Sequence, residues 1–284
     1  MGLEAELELL RSVPMAKKDN DGHIWHMPIE GQHVFIAGRT GGGKNSWTWT
    51  LVLRLILAWL AGLVKFWGLD PKKIELAIGR GFFDYYANTD ESMVELLEQC
   101  VKDMQERMDA MQGVARVFTP SPATPLNVII VDELAYLSSY MPDKKLRDRA
   151  DKAVRTILTQ GRAPGYALVG TVQDVRVETV GFRNQFPLRI CGGLNEARQV
   201  DMVLGDGAYE AGARCNELPL GPAGAGMAYV WDVERSRTPL LVRAPRCSDE
   251  AIKRALADIS VKAVKDEPMD GHLQSQPGMQ FKVE

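Results

Sequence analysis

The chain contains 284 residues, of which 45% are hydrophobic and 25% are charged. These fractions match those of soluble globular proteins and exclude collagen-like, coiled-coil and largely disordered chains. The 34 Lys and Arg residues and the 37 Asp and Glu residues leave a formal net charge of −3, so contact with a polyanion such as DNA requires a local basic surface.

The predicted elements alternate between strands and helices along the chain. Residues 1–30 combine a short helical pattern with a polar, turn-rich run, and we expect them to form a lead-in segment. The predicted strands are 33–37, 64–69, 128–131, 167–171, 188–191, 227–231 and 240–243, and the predicted helices are 44–63, 90–112, 144–160 and 196–204. A last helix is expected from residue 248, followed by a mobile polar tail.

This alternation predicts an α/β fold with a mainly parallel central sheet flanked by helices, because consecutive parallel strands need a crossover between them. The expected domains are a lead-in over residues 1–30, one large domain over residues 31–247, and a C-terminal helix and flexible tail over residues 248–284.

A glycine-rich loop lies between the strand at 33–37 and the helix that follows it. It has the pattern G-x4-G-K, in which backbone N–H groups wrap phosphates and the lysine reaches the β- and γ-phosphates. The ligand that it predicts is a nucleoside triphosphate such as ATP. The predicted nucleotide-binding residues are Gly38, Arg39, Thr40, Gly41, Gly42, Gly43, Lys44, Asn45 and Ser46.

The residue after Lys44 departs from that pattern. A Ser or Thr hydroxyl usually ligates Mg²⁺ at this position, but here the residue is Asn45, followed by Ser46. An Asn carbonyl oxygen is an acceptable hard ligand, whereas Ser46 points about 100° further round the helix and needs a shifted register. Asn45 is therefore the predicted metal ligand, and Ser46 is the alternative.

Two acids follow an apolar strand further along the chain. Asp132 is expected to hold Mg²⁺ through water, and Glu133 to polarise the attacking water as the catalytic base. Gln173, at the end of the next predicted strand, is expected near the γ-phosphate as a sensor. The glycine loop and the paired acids together are specific for a P-loop NTPase.

With these motifs the chain resembles the motor domain of the FtsK/SpoIIIE family of double-stranded DNA translocases. More narrowly, it is similar to the transfer proteins of actinobacterial conjugative elements and to related actinophage proteins. The supporting stretches are residues 37–44, 68–76, 129–135, 160–165, 186–190 and 203–207. The Asp-Pro-Lys motif at 70–72 and the Phe-Pro-x-Arg-Ile motif at 186–190 discriminate more strongly than the glycine loop.

The resemblance implies a RecA-like ATPase fold that assembles as a hexameric ring around duplex DNA, with ATP between subunits. In such a ring an arginine of the neighbouring subunit stabilises the negative charge of the transition state of ATP hydrolysis. The candidates are Arg162, Arg189 and Arg198. Family members in the narrower group also tend to replace the hydroxyl after the lysine and to keep the following Ser.

DNA contact is expected with phosphates, since a translocase moves along any sequence. The favoured segment is the loop 174–185, where the family places a pore loop, with Arg176 and Arg183 as the contacts. The alternative is the basic face of the helix at 144–160, which carries Lys144, Lys145, Arg147, Arg149, Lys152 and Arg155.

A cytoplasmic location is expected for three reasons. The four cysteines form no C-x-x-C pair, which favours a reducing compartment. The longest uncharged apolar run, residues 55–64, is about half of what a bilayer needs, and the first ten residues are acidic rather than basic as in a secretory signal. Membrane docking and loading on DNA are then expected to come from a separate partner.

Two rival functions remain open at this stage. One is a protein-secretion ATPase of the same superfamily, and the other is a nucleotide-binding assembly ring that has lost hydrolysis through Asn45. The biological setting of a translocase also stays open, because conjugative transfer, phage DNA handling and chromosome segregation would use the same residues.

Overall fold

Ten strands form one mixed sheet in the computed structural model, which describes residues 3–173, 175–176 and 181–265. The strands are β1 Val13–Lys18, β2 Ile24–Met27, β3 Val34–Ala37, β4 Val64–Leu69, β5 Tyr85–Ala87, β6 Leu126–Val131, β7 Tyr166–Val172, β8 Leu188–Cys191, β9 Met227–Asp232 and β10 Leu240–Arg243. Their order is β2-β1-β10-β9-β8-β3-β7-β6-β4-β5. The six strands from β8 to β5 in this order are parallel, and the other four are antiparallel.

Helices cover both faces of the sheet. They are α1 Leu3–Arg11, α2 Lys44–Arg54, α3 Ile56–Leu60, α4 Asp90–Met111, α5 Lys144–Gln160, α6 Ala197–Leu204 and α7 Asp249–Lys265. One hydrophobic cluster joins the sheet to α4, α5 and α6, and a second joins it to α1, α2, α3 and α7. The predicted α/β class with a mainly parallel sheet flanked by helices is confirmed.

Strand β6 lies between the two cores, and its residues alternate between them. Val128 and Ile130 pack in the cluster that contains α2, while Ile129 and Val131 pack in the cluster that contains α4 and α5. All six residues of β6 are buried. A continuous run of β-branched residues is what such a doubly covered strand requires, because neither face meets water.

One helix and one short strand in the body of the domain differ from the predicted ones. The helix expected at 44–63 is divided at Leu55, whose N–H bonds both Leu51 O and Val52 O at 3.1 Å, and α3 ends at Leu60. Strand β5 was not predicted, because three residues are too few to carry a period-2 pattern.

The first thirty residues contribute to the sheet. Strand β1 pairs with β10 and β2 pairs with β1, and neither was predicted, since Pro14 and the paired lysines at 17 and 18 weaken the strand pattern. Leu10 and Ile29 are fully buried in the cluster that contains α2. Where the domain limits lie stays a prediction, and residues 266–284 of the predicted tail lie outside the described residues.

Within residues 3–173, 175–176 and 181–265, none of the helices has both the length and the apolar composition that crossing a bilayer demands. Cysteines 100, 191, 215 and 247 are all free thiols, and the first three are buried.

The packing of the first thirty residues generates a test that compares two isoleucines of that segment. Replacing the buried Ile29 in Ile29→Ala should lower the free energy of unfolding by about 2–5 kcal/mol, through lost burial and the cavity left behind. The matched change Ile24→Ala, at a side chain that is 49% exposed, should cost less than about 1 kcal/mol. Urea unfolding measures both, and equally small effects would contradict the packing of this segment on the sheet.

Candidate nucleotide-binding site

Four chain segments meet where adjacent parallel strands end. Strands β3, β7, β6 and β4 are neighbours in the sheet, so the residues that follow them lie along one carboxyl edge. Open parallel sheets bind ligands at this edge. The segments are the glycine loop 38–43 after β3, residues 70–77 after β4, Asp132 and Glu133 after β6, and Gln173 after β7.

The glycine loop leads directly into α2. Gly43 precedes the helix with φ of 86°, a left-handed conformation that glycine adopts without strain. A Cβ at this position would lie 2.4 Å from Gly226 N, and the Gly226 N–H donates to Gly42 O at 3.1 Å. Glycine is therefore required at 43 by both the backbone turn and the close approach of the turn before β9.

Arg39 and Thr40 hold the loop to neighbouring segments. The Arg39 guanidinium donates to the carbonyl oxygens of Leu194, Leu218 and Pro219 at 3.2, 3.0 and 2.8 Å. Thr40 Oγ1 donates to Gln173 Oε1 at 3.4 Å, which brings the predicted sensor next to the glycine loop. In this structure Arg39 supports the loop rather than pointing into it.

The Lys44 amine is buried inside the loop that it follows. The residue is 7% exposed, and Nζ donates to Gly38 O at 2.7 Å and to Arg39 O at 3.3 Å. Burial lowers the pKa of Lys44 to about 8, against the opposing pull of the Glu133 and Asp132 carboxylates. The structure thus places the predicted phosphate-binding lysine within electrostatic reach of both predicted acids.

The two carboxylate oxygens of Asp132 differ in their contacts with the described residues. Thr171 Oγ1 donates to Oδ1 at 3.4 Å, whereas Oδ2 is buried and bonds no group among the described residues. Burial raises the pKa of Asp132 to about 6, and the negative charges of Glu75, Asp70 and Glu133 add to the effect. A cation beside Oδ2 would give this oxygen a partner and would stabilise the ionised form of Asp132, which burial disfavours.

The residues here fit Mg²⁺. Asp132 and the Asn45 amide offer hard oxygen atoms, which this ion prefers. The described residues hold no group of three or more His, Cys, Asp and Glu side chains suited to a metal. Mg²⁺ commonly binds through one or two protein ligands together with the phosphates of a substrate, so the two protein ligands offered here are sufficient.

Glu133 is held at three points. Its backbone has φ of 73°, a conformation that non-glycine residues adopt rarely and that clusters at functional sites. Thr171 Oγ1 accepts its N–H at 3.3 Å, Lys72 Nζ donates to Oε2 at 3.1 Å, and the Gln173 N–H donates to Oε1 at 3.3 Å. The predicted base is therefore oriented before any substrate arrives.

The segment 70–77 is organised by Asp70, which is fully buried. Asp70 Oδ2 accepts the N–H groups of Leu76 and Ala77 at 3.0 and 3.1 Å. The Tyr86 hydroxyl donates to the same oxygen at 3.0 Å. This closed loop places Lys72 in an ion pair with Glu133. It also places Glu75 beside Asn45, whose Nδ2 donates a hydrogen bond to Glu75 Oε2.

Three residues of this site had no role in the sequence analysis: Lys72, Glu75 and Thr171. Lys72 belongs to the Asp-Pro-Lys motif, and Thr171 precedes Gln173 by two positions. The signal that could have found them is a polar side chain at the carboxyl end of a buried strand. Ser46 is half-buried, and its N–H bonds Gly43 O at 3.0 Å.

The three candidate arginines occupy different environments. Arg162 donates through both terminal nitrogens to Glu234 at 2.8 Å and through Nε to Gly31 O, at the edge of the sheet where β3 begins. Arg189 is buried and donates hydrogen bonds to two backbone carbonyl oxygens of its own chain, and burial lowers its pKa to about 10. Arg198 has a side chain that is 79% exposed, with Glu196 beside it.

The two arginines predicted to contact DNA differ in their exposure to solvent. Arg183 Nη1 donates to Asp201 O and Met202 O at 2.7 and 3.0 Å, so it covers the last turn of α6. Arg176 is exposed, and positions 174 and 177–180 of the same loop lie outside the described residues. On the alternative surface, the ion pairs are Lys144 with Asp148, Arg149 with Glu98 and Arg155 with Asp151.

Comparison with known families finds one whose model covers part of this site. Residues 14–117, which include the glycine loop and the Asp-Pro-Lys segment, match the model of the FtsK/SpoIIIE family. This part of the chain is similar to the FtsK/SpoIIIE family. The resemblance to the FtsK/SpoIIIE family that the sequence motifs indicate is confirmed.

The relatives that the chain matches are longer proteins. The FtsK domain-containing protein YdcQ of Bacillus subtilis is 29% identical over 181 residues, covering 61% of this chain and 37% of YdcQ. The DNA translocase FtsK of Staphylococcus aureus is 24% identical over 215 residues, covering 68% of this chain and 27% of that protein. The chain thus spans roughly a quarter to two fifths of the length of these relatives.

Solved structures share the fold. The conjugation coupling protein TcpA of pCW3, in its monomer form with ATPγS, has a TM-score of 0.73 at 17% identity, covering 91% of this chain and 73% of that one. The cytoplasmic domain of the Thermomonospora curvata type VII secretion ATPase EccC has a TM-score of 0.68 at 20% identity, covering 95% and 33%. The predicted RecA-like P-loop NTPase fold is confirmed.

The burial of Asp132 generates a stability test in EDTA without nucleotide. Asp132→Asn removes a buried charge, so it should raise the free energy of unfolding at pH 7 by about 1–3 kcal/mol, at roughly 1.4 kcal/mol per unit of pKa shift. The folded-state pKa of about 6 lies above the ordinary value of 3.8. The wild-type penalty is therefore complete above pH 6 and absent below about pH 4, and the gain should fade over that interval.

Urea unfolding at several pH values measures this difference. The control is Asp148→Asn at an exposed position on α5, which should change stability by less than about 0.5 kcal/mol at every pH. A gain for Asp132→Asn that persists undiminished at pH 4 would show that burial of the charge is not its cause.

Proposed function

We propose that the chain binds ATP with Mg²⁺ at this edge of the sheet and hydrolyses it. The observation that carries the proposal is the convergence of Lys44, Asp132 and Glu133, which come from separate parts of the sequence. Both acids act on the charge of the buried Lys44 amine. This convergence of a phosphate-binding lysine, a metal-binding acid and a base is the set that phosphoryl transfer needs.

Each residue then has a defined task. Lys44 and the loop N–H groups bind and orient the β- and γ-phosphates, and Asp132 with Asn45 would hold Mg²⁺. The ion, when bound, neutralises charge that develops on the phosphate oxygens. Glu133 orients the attacking water and accepts its proton, while Lys72 and the Gln173 N–H hold its carboxylate in place.

We infer further that hydrolysis drives movement of double-stranded DNA through a ring of subunits, a hexamer in this proposal. Support comes from the family match and from relatives named as DNA translocases. Among the three candidate arginines, Arg198 is the most exposed and is our choice for the residue that acts on a neighbour's nucleotide. Arg176, also exposed, is the preferred phosphate contact on DNA.

The biological setting belongs to the same proposal. Transfer or segregation of mobile-element or phage DNA is the role that we favour, in the cytoplasm and with a separate partner for loading or membrane docking. The free thiols fit a reducing compartment.

Steady-state ATPase assays with and without duplex DNA test the function. We expect DNA to stimulate turnover, and Glu133→Gln to lower the stimulated rate by about 100-fold or more while ATP still binds, since general-base catalysis typically contributes about 10²–10⁴. The matched control is Glu106→Gln on α4, an exposed acid that pairs with Lys102, and it should keep the wild-type rate.

The same assay separates the rival functions. Turnover that is indifferent to DNA would contradict the translocase and favour a protein-secretion ATPase. ATP binding without turnover in the wild type would contradict the enzyme and favour an assembly ring.

A further inference from the structure

Asn45 occupies the position at which P-loops use a hydroxyl to ligate Mg²⁺. A hydroxyl can rotate, but a carboxamide has two different ends, and only its oxygen can ligate a cation. Whether Asn45 serves the metal therefore depends on which end of the amide faces the site. A fixed orientation needs a neighbour that accepts only one of the two ends.

Glu75 is that neighbour. Asn45 Nδ2 donates to Glu75 Oε2. An ionised carboxylate only accepts hydrogen bonds, so the NH₂ group of Asn45 must face Glu75. The amide orientation is then set by chemistry, and Oδ1 is left as the end available to a cation.

Glu75 is itself held by the helix that it serves. Trp49 Nε1 donates to Glu75 O at 3.3 Å, and Trp49 lies on α2 one turn beyond Asn45. The two hydrogen bonds from the backbone to Asp70 close the segment 70–77 just after Glu75. The position of the Glu75 carboxylate is thus fixed by a loop that these hydrogen bonds hold in place.

The metal-binding acid lies in the same cleft. Asn45, Glu75, Asp132 and Thr171 line one narrow pocket beside the start of α2. Asp132 is 3% exposed, and its Oδ2 has no partner among the described residues. This buried oxygen is a second and independent sign of a cation site, and the negative charge of Glu75 nearby favours a cation there.

We propose that Glu75 is a positioning residue of the magnesium site, which orients the Asn45 carboxamide so that Oδ1 replaces the usual Ser or Thr hydroxyl. The inference rests on the proposed function, because it concerns the magnesium that accompanies ATP. It also decides between the two candidate ligands, Asn45 and Ser46, in favour of Asn45.

The test measures the affinity of a fluorescent ATPγS analogue in EDTA and in excess Mg²⁺. The ratio of the two affinities isolates the contribution of the metal. Glu75→Ala should lower this ratio by about tenfold, the lower end of the usual effect of losing a residue that orients a metal ligand. Affinity in EDTA should stay within about twofold of the wild type, which a general loss of structure would not allow.

Two further variants separate orientation from charge and folding. Glu75→Gln keeps an oxygen that can accept the Asn45 N–H, so it should lower the ratio by no more than about threefold. In an Asn45→Ser background there is no amide to orient, so adding Glu75→Ala should lower the ratio by no more than about threefold, through the lost charge alone. Glu106→Ala, at the exposed acid on α4, is the matched control and should keep the wild-type ratio.

The outcomes distinguish this inference from the proposed function. If the wild type binds the analogue and Glu75→Ala keeps the full magnesium effect, the inference is wrong. It is also wrong if Glu75→Ala lowers the ratio equally in the Asn45→Ser background, or if only Ser46→Ala abolishes the effect. Absence of binding by the wild type in either condition would instead overturn the proposed function.

Discussion

Buried charge is the constraint on which the site depends. Lys44, Asp132 and Glu133 are each less than 10% exposed, and ions removed from water are costly unless they are paired. Lys72 supplies the counter-charge for Glu133, while Asp132 Oδ2 has no partner in the described part of the chain and burial raises the pKa of Asp132. The charges that the protein itself places here are therefore incompletely balanced, and a divalent cation with phosphates would balance them.

Strand order turns four separate segments into this site. Because β3, β7, β6 and β4 are adjacent and parallel, the residues that follow them meet at one edge. Thr171 connects two of the segments, since its hydroxyl donates to Asp132 and accepts the Glu133 N–H. A single side chain on β7 thus contacts both acids that follow β6, and a sheet in which β6 and β7 were not neighbours could not place this hydroxyl beside them.

The segment 70–77 gives physical meaning to the Asp-Pro-Lys motif. Asp70 closes the loop, Lys72 neutralises Glu133, and Glu75 contacts Asn45. In the sequence this motif is only a mark of resemblance, because no local pattern indicates that it faces the glycine loop. Its residues act on partners about 30 to 60 positions away in the chain, a distance that only folding removes.

Local patterns in the chain were sufficient for the fold class, the strands with continuous apolar runs, the glycine loop and the paired acids, since each depends on neighbours in sequence. Strands β1, β2 and β5 needed the sheet itself, because short or polar strands are stabilised by the partners that they pair with. The partners of Arg183 and Arg189 could not be predicted either, because the sequence shows only that both side chains are charged. In the folded chain both guanidinium groups donate to backbone carbonyl oxygens. A side chain's partner, unlike its type, is set by which segments packing brings into contact.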